Sequence, residues 1–280
     1  MVLLDLLAKH KADNPDPINL IIAHYDHGIR SNSKADRLFV QRAAKVYRLP
    51  FTFDQGILGP DASEAVARLV RYKFLEAARQ AANAQAIITA HHQDDQLETA
   101  FINTLRGTGR RGLTALGNRT TVLRPLLKIP KSELIAYAEA NNLGWQEDST
   151  NHDTRYTRNH VRHRLLPTLS ETEKGQLVET LAELTGVNSQ IDNQLVNHLH
   201  TQPVAGELDR HWYIMLPHTV SSEIMMTWLR SREINDLDKK RLSVIVVKSK
   251  TLGWGKKIVV NSKYYIKVGK YRLALAALER

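Results

Sequence analysis

Residues 86–113 read AIITAHHQDDQLETAFINTLRGTGRRGL, and their pattern decides the fold. AIITAH at 86–91 is a short apolar run of the kind buried on both faces of a parallel sheet. Gln93 to Leu105 then reads as a helix, and RGTGRRGL at 106–113 as a glycine-arginine loop. A buried strand feeding a helix through polar, ionisable residues is the local signature of an α/β domain. Such a domain binds its ligands beyond the carboxyl ends of its strands.

The same alternation extends on both sides. Upstream, residues 1–11 have helical periodicity, with Val2, Leu3, Leu6 and Leu7 on one face and Asp5 and Lys9 facing away. INLIIAH at 18–24 reads as a strand, Ser33 to Tyr47 as a helix, FTFDQ as a strand, and Ser63 as the cap of a long helix with Glu64 in its first turn. Downstream, TTVLRPL at 120–126 reads as a strand and Lys131 to Asn142 as a helix. The fold class is therefore α/β, a doubly wound parallel sheet, followed by a helical linker and a smaller α+β domain. The expected domains are 1–168, 169–205 and 206–280. In the last, GWGKKIVV and SKYYIKV form a hairpin, while Trp212, Met225, Met226 and Trp228 read as core. A helix that opens a βαβ pattern at residue 1 predicts a chain beginning after its first strand and phosphate loop.

Composition narrows the function classes. The 280 residues contain no cysteine, which excludes disulfides, thiolate zinc sites and cysteine-borne sulfur chemistry. No apolar run is long enough to span a bilayer, and the opening carries no basic leader; a cytoplasmic protein without membrane contact is expected. The net charge of +10 favours a phosphate-rich partner, although a basic surface kept for solubility would read the same.

The candidate site follows from two strand ends. At one stand His24, Asp26, His27 and Arg30; at the other His91, His92, Asp94 and Asp95. Glu98 lies three and four residues beyond the two aspartates, so all three carboxylates can approach one region. Clustered carboxylates sit near a cation or an amine, but helix capping by the same residues is equally sound chemistry. His91 and His92 point apart on a strand and lack a third ligand, so zinc is disfavoured. Arg106, Arg110 and Arg111 supply planar donors for phosphate or carboxylate. Arg155, Arg158 and Arg162 recur at helical spacing with few acidic neighbours in sequence, and read as phosphate binders; Arg68 and Arg71 project from the long helix toward the sheet's mouth.

Taken in order, AHYDHGIR, ARLVRYKFL, TAHHQDDQLETAFINTLRGTGRRGL, LRPLL, EDSTN and TRNHVRHRLLPTL resemble tRNA(Ile)-lysidine synthase, a family of the PP-loop ATP pyrophosphatases. The resemblance runs from about residue 1 to 170 and is less distinct beyond. In that family a serine-glycine-glycine-x-aspartate-serine loop precedes the first helix. MVLLDLL resembles that helix, and no such loop occurs in these 280 residues, which puts the activity of the chain by itself in doubt.

The resemblance implies ATP and Mg²⁺ as cofactors, and free L-lysine and tRNA(Ile) with a CAU anticodon as partners, with a homodimer left open. It implies that Asp94, Asp95 and Glu98 contact Mg²⁺ or the amine, with Asp95 first among them and His91 and His92 beside it. Asp94 and Asp95 would be the Mg²⁺ ligands. His24, Asp26, His27, Arg30, Arg68 and Arg71 would flank the nucleotide. Arg106, Arg110, Arg111, Arg155, Arg158, Asn159 and Arg162 would contact cytidine or tRNA. Two alternatives stand beside this reading: a non-catalytic tRNA-binding remnant, and a PP-loop tRNA thiolase, which the absence of cysteine disfavours.

Overall fold

The computed structural model describes residues 1–280 except 15–17, 29–32, 60–62, 118–120, 147–156, 203, 205, 236 and 279–280. The chain divides into two compact units, Met1–Leu184 and Thr185–Arg280.

In the first unit the parallel strands form two hydrogen-bonded pairs. β1 (Ile22–Asp26) pairs with β2 (Phe51–Gln55), Ile22 opposite Phe51 and Asp26 opposite Gln55. β3 (Ile87–Ile88) pairs with β4 (Val122–Leu123). α3 (Glu64–Ala81) packs against both β1 and β3 and so ties the pairs together. Its N-cap is Ser63, whose hydroxyl accepts from the Val66 amide at 3.3 Å. α/β architecture with parallel strands is thus observed, with β1 starting four residues and ending two residues downstream of the sequence expectation. The Asp26 carbonyl extends the pairing by accepting from the Gly56 amide at 2.8 Å, which carries the polar residues His24 to Asp26 into the strand.

Helix α1 (Val2–Asp13) departs from expectation on its polar face. Asp5 faces inward and is only 6% exposed. Its carboxylate accepts from Tyr47 Oη at 2.8 Å and Tyr137 Oη at 2.7 Å, and lies 2.9 Å from Lys9 Nζ. Tyr47 follows α2 (Ser33–Val46) and Tyr137 lies on α6 (Lys131–Ala140), so one buried carboxylate joins three helices. Burial alone would raise the Asp5 pKa; the bonds from Tyr137, Lys9 and Tyr47, with the Lys9 charge, outweigh it and hold the carboxyl below its ordinary value.

The core of the first unit gathers Leu97, Ala100 and Ile102 of α4 (Gln93–Leu105), Val161 and Leu166 from the following basic segment, and Val178 and Leu181 of α8 (Glu171–His200). Val161 stands at 1% exposure, which fixes the rotation of its neighbour Arg162.

The second unit carries a four-stranded antiparallel sheet in the order β5-β8-β7-β6, formed by Leu208–Asp209, Arg272–Ala277, Tyr264–Val268 and Lys257–Val259. After the short α9 (Arg210–Met215) come α10 (His218–Arg230) and α11 (Lys239–Thr251), against which Ile258, Ile266, Val268 and Leu273 line the sheet's inner face. Trp228 and Met225 are buried there, and Trp212 and Met226 pack beside them, as their sequence pattern predicts. Among the described residues no helix is long and apolar enough to cross a membrane.

Candidate active site

The site is built at the amino end of α4. The helix starts after His92, and Asp95, its third residue, turns back so that its carboxylate accepts from the His92 amide at 3.0 Å. Asp95 is therefore a capping residue in fact, and this satisfies a helix-end donor. Its other oxygen lies 3.6 Å from Arg162 Nη2. Asp94, one position earlier, makes no hydrogen bond or salt bridge among the described residues. One of the adjacent aspartates is thus structurally committed and the other is available.

Glu98 does not join them at the surface. It is fully buried and clamped by Arg162, with Nε to Oε1 at 2.5 Å and Nη2 to Oε2 at 2.9 Å. Arg158 approaches from α7 (Thr157–His160), its Nε 3.5 Å from Glu98 Oε2, and also pairs with Glu64. Sequence reading leaves this arginine stripe short of acidic partners; the fold supplies Glu98 and Glu64 from positions far away in the chain. The reason is local: one π-helical turn at Val161–Leu165 buries Val161 and swings Arg162 onto α4. Burial works against the Arg162 charge, but the bond to Glu98 and the charges of Glu98, Asp95 and Asp94 hold its pKa above the ordinary value. Burial pushes the Glu98 carboxyl up, against the pull of Arg162 and Arg158. Asn159 is buried between the two arginines in sequence, and Arg155 lies outside the described residues.

Arg68, Arg71 and Arg124 gather near His91, which also feels the Asp95 charge. Arg68 stacks over the Tyr72 ring at 4.8 Å, and Arg124 Nη2 donates to Tyr72 Oη at 3.2 Å. Arg124 Nη1 also donates to the Gly117 carbonyl at 2.6 Å. Arg71 has its pKa lowered by burial first, then by the charges of Arg68 and Arg158. His91 sits within the same field, its Nδ1 2.8 Å from Thr89 Oγ1. Burial, reinforced by Arg124, Arg68 and Arg71 and opposed by Asp95, pushes its pKa down to about 4, so the imidazole is neutral at pH 7. Arg124, 3% exposed, is the site residue that sequence reasoning misses. Its one signal is an arginine placed directly after an apolar strand, in LRPLL.

The β1 end is tightly turned. Gly28 has φ +62°, and a Cβ there would meet the Gly56 carbonyl oxygen at 2.2 Å. The Gly28 amide donates to Asp26 Oδ1 at 2.9 Å, while Tyr25 and His27 stack edge to face at 5.0 Å. His24, also on β1, has its pKa lowered chiefly by burial. Arg30 lies outside the described residues. The loop after α4 is pinned by Asn103 Nδ2, which donates to the Gly112 carbonyl at 2.6 Å. Arg110 and Arg111 are half-buried on the short α5 (Arg110–Leu113), and Arg106 is exposed.

Parallel strand ends that carry carboxylates and a cluster of guanidiniums define a phosphate-handling α/β domain. Residues 1–169 match the PP-loop domain family, and the chain belongs to it. The tRNA(Ile)-lysidine synthase of Thermotoga maritima is 38% identical over 161 residues, covering 55% of this chain and 39% of that protein. That of Ralstonia nicotianae is 30% identical over 235 residues, covering 81% of this chain and 51% of its own length. The chain thus spans between about two fifths and half of these relatives. In fold it is similar to the U34-tRNA thiolase NcsA from Methanococcus maripaludis, solved with its [4Fe-4S] cluster, with TM-score 0.54, 18% identity, and 65% and 67% of the two chains covered.

Proposed function

We propose that this chain carries the catalytic domain of an enzyme that joins lysine to the wobble cytidine of tRNA(Ile) bearing a CAU anticodon. The observation that carries the reading is the meeting of the available Asp94 and the capping Asp95 with Arg68, Arg71, Arg124 and the neutral His91, together with the similarity to lysidine synthases.

In this reading the cytidine O2 attacks the α-phosphorus of ATP and pyrophosphate leaves. The lysine Nζ then attacks C2, the C2–O2 bond breaks, AMP departs with that oxygen, and the nitrogen loses a proton. Arg68 and Arg71 bind and orient phosphates, and their positive field stabilises the departing pyrophosphate and AMP. A free lysine amine has pKa about 10.4, so its proton must be removed or its charge desolvated. In this reading desolvation beside Arg68, Arg71 and Arg124 favours the neutral amine. The carboxylate of Asp94 or Asp95 takes the proton that the nitrogen sheds on bonding to C2, when that proton is far more acidic.

Among the described residues no group of three or more His, Asp or Glu is placed to hold a metal. Mg²⁺ asks for less, since it uses one or two carboxylates beside substrate phosphates. The unengaged Asp94 fits that demand, with Asp95 beside it, and the metal would offset phosphate charge there. The smaller domain serves tRNA in this proposal. Its outer sheet face exposes Lys257 and Lys267, cross-strand partners, with Lys257 4.7 Å over the Tyr265 ring.

Labelled lysine supplied with this tRNA tests the reaction: incorporation that requires both ATP and Mg²⁺ is expected. Lysine-independent modification would overturn the reading, and tRNA binding without incorporation would identify a non-catalytic binder.

A further inference from the structure

Arg68 and Tyr72 stand one turn apart on the same face of α3, so the guanidinium of the first reaches the ring of the second. Its centre lies 4.8 Å over the ring, inside the roughly 6 Å reach of a cation–π contact. Nothing else engages it: among the described residues Arg68 makes no hydrogen bond or ion pair. A half-buried guanidinium whose N–H donors are all unused is a binding group, because its desolvation is not offset within the fold.

Arg124 is the opposite case. It is 3% exposed, too enclosed to meet a ligand from solvent, and both of its terminal nitrogens donate inward. Nη1 bonds the Gly117 carbonyl at 2.6 Å and Nη2 bonds Tyr72 Oη at 3.2 Å. Arg124 directly follows β4, so its backbone is set by the pairing of β4 with β3. The Tyr72 ring is thereby tied to α3 at its backbone and to a strand end at its hydroxyl, and the face beneath Arg68 keeps one orientation. A free arginine side chain loses rotamer entropy when it binds, and a fixed ring face removes part of that loss beforehand.

We propose that Tyr72 is a positioning residue for Arg68: its ring holds the guanidinium ready for a phosphate oxoanion, and the bond from Arg124 fixes that ring. The inference rests on the proposed use of ATP and tRNA only for the source of the phosphate, a nucleotide or an RNA backbone.

Two titrations of the whole chain read this arrangement without the ligation reaction, one with inorganic pyrophosphate and one with tRNA(Ile) over a range of salt. Arg68→Ala should weaken binding about tenfold. Tyr72→Leu removes ring and hydroxyl but no charge, yet should weaken binding nearly as much. With tRNA it should also flatten the log K against log salt slope by about 1. Tyr72→Phe keeps the ring and loses the Arg124 bond, so its loss should be intermediate, about threefold. Because Tyr72 acts through Arg68, Tyr72→Leu should add less than about twofold in the Arg68→Ala background, whereas a general loss of structure would add its full effect there. Should Tyr72→Leu lower the melting temperature, the same cycle built with Tyr72→Phe carries the test. A loss confined to pyrophosphate assigns the phosphate to a nucleotide, and one confined to tRNA assigns it to the RNA backbone. No binding of either ligand by the wild-type chain, additive losses in the cycle, wild-type affinity for both ligands in Tyr72→Leu, or Tyr72→Phe as weak as Tyr72→Leu would each overturn the proposal. Failed lysine incorporation with this pattern intact would remove the proposed reaction and leave the role of Tyr72 standing; incorporation with the pattern absent would do the reverse.

Discussion

Arg162 holds the carboxylate of Glu98 in two parallel bonds of 2.5 and 2.9 Å across 64 residues of sequence, with the carboxylate fully buried. The pair fastens the π-helical turn to α4, and with it the spacing between Asp94, Asp95 and the arginine cluster. Removing one partner leaves an uncompensated buried charge, which costs about 3 to 5 kcal/mol in such pairs. Arg158 is near enough to Glu98 to recover part of this. Arg162→Ala should therefore destabilise by about 3 kcal/mol in urea unfolding, and Arg162→Met with Glu98→Leu should recover most of the loss. A single-variant cost below about 1 kcal/mol would mean that the clamp is not a structural element.

Asp94 and Asp95 separate capping from chemistry. Asp95 accepts a helix-end amide, so Asp95→Ala should lose about 1 kcal/mol of stability as well as turnover, while leaving tRNA binding largely intact. Asp94 has no such bond, so Asp94→Ala should lose turnover with an unchanged melting temperature. Normal lysine incorporation in Asp95→Ala would remove that residue from the catalytic set.

Much of this site is legible in sequence and part is not. Helix α4, the strand FTFDQ and the Ser63 cap fall where periodicity and cap chemistry place them, because each is decided by neighbours within one turn. The partners of Arg158 and Arg162 are not legible, since a charge stripe facing water and one facing a buried carboxylate have the same spacing. Asp5 misleads for the same reason: its three donors come from residues 9, 47 and 137, and only tertiary packing brings them together. Arg124 escapes notice because one arginine after a strand carries no local sign of burial.

The arginine pairing redirects the expectation for salt dependence. Arg158 and Arg162 are engaged by Glu98 and Glu64, whereas Arg68 and Arg71 face a region crowded with positive charge. Arg68→Ala or Arg71→Ala should weaken tRNA or nucleotide binding and flatten the log K against log salt slope by about 1 for each phosphate no longer neutralised. Arg158→Ala should act mainly on stability. A flattened slope in Arg158→Ala with none in Arg68→Ala would reverse these roles.

His91 gives the fold a pH dependence whose sign is determined. Its pKa falls from 6.5 to about 4 on folding, so between those values the unfolded chain binds the proton and the folded one does not. Stability is therefore fully present above about pH 6.5, declines as the pH falls through the window, and levels off below about 4. His24 is displaced in the same direction by burial, and Asp5, with its lowered pKa, adds a loss at still lower pH. The comparison that isolates His91 is the difference between the wild-type chain and His91→Gln across pH 4 to 7. The variant should show the shallower decline, and equal slopes would place the depressed imidazole elsewhere.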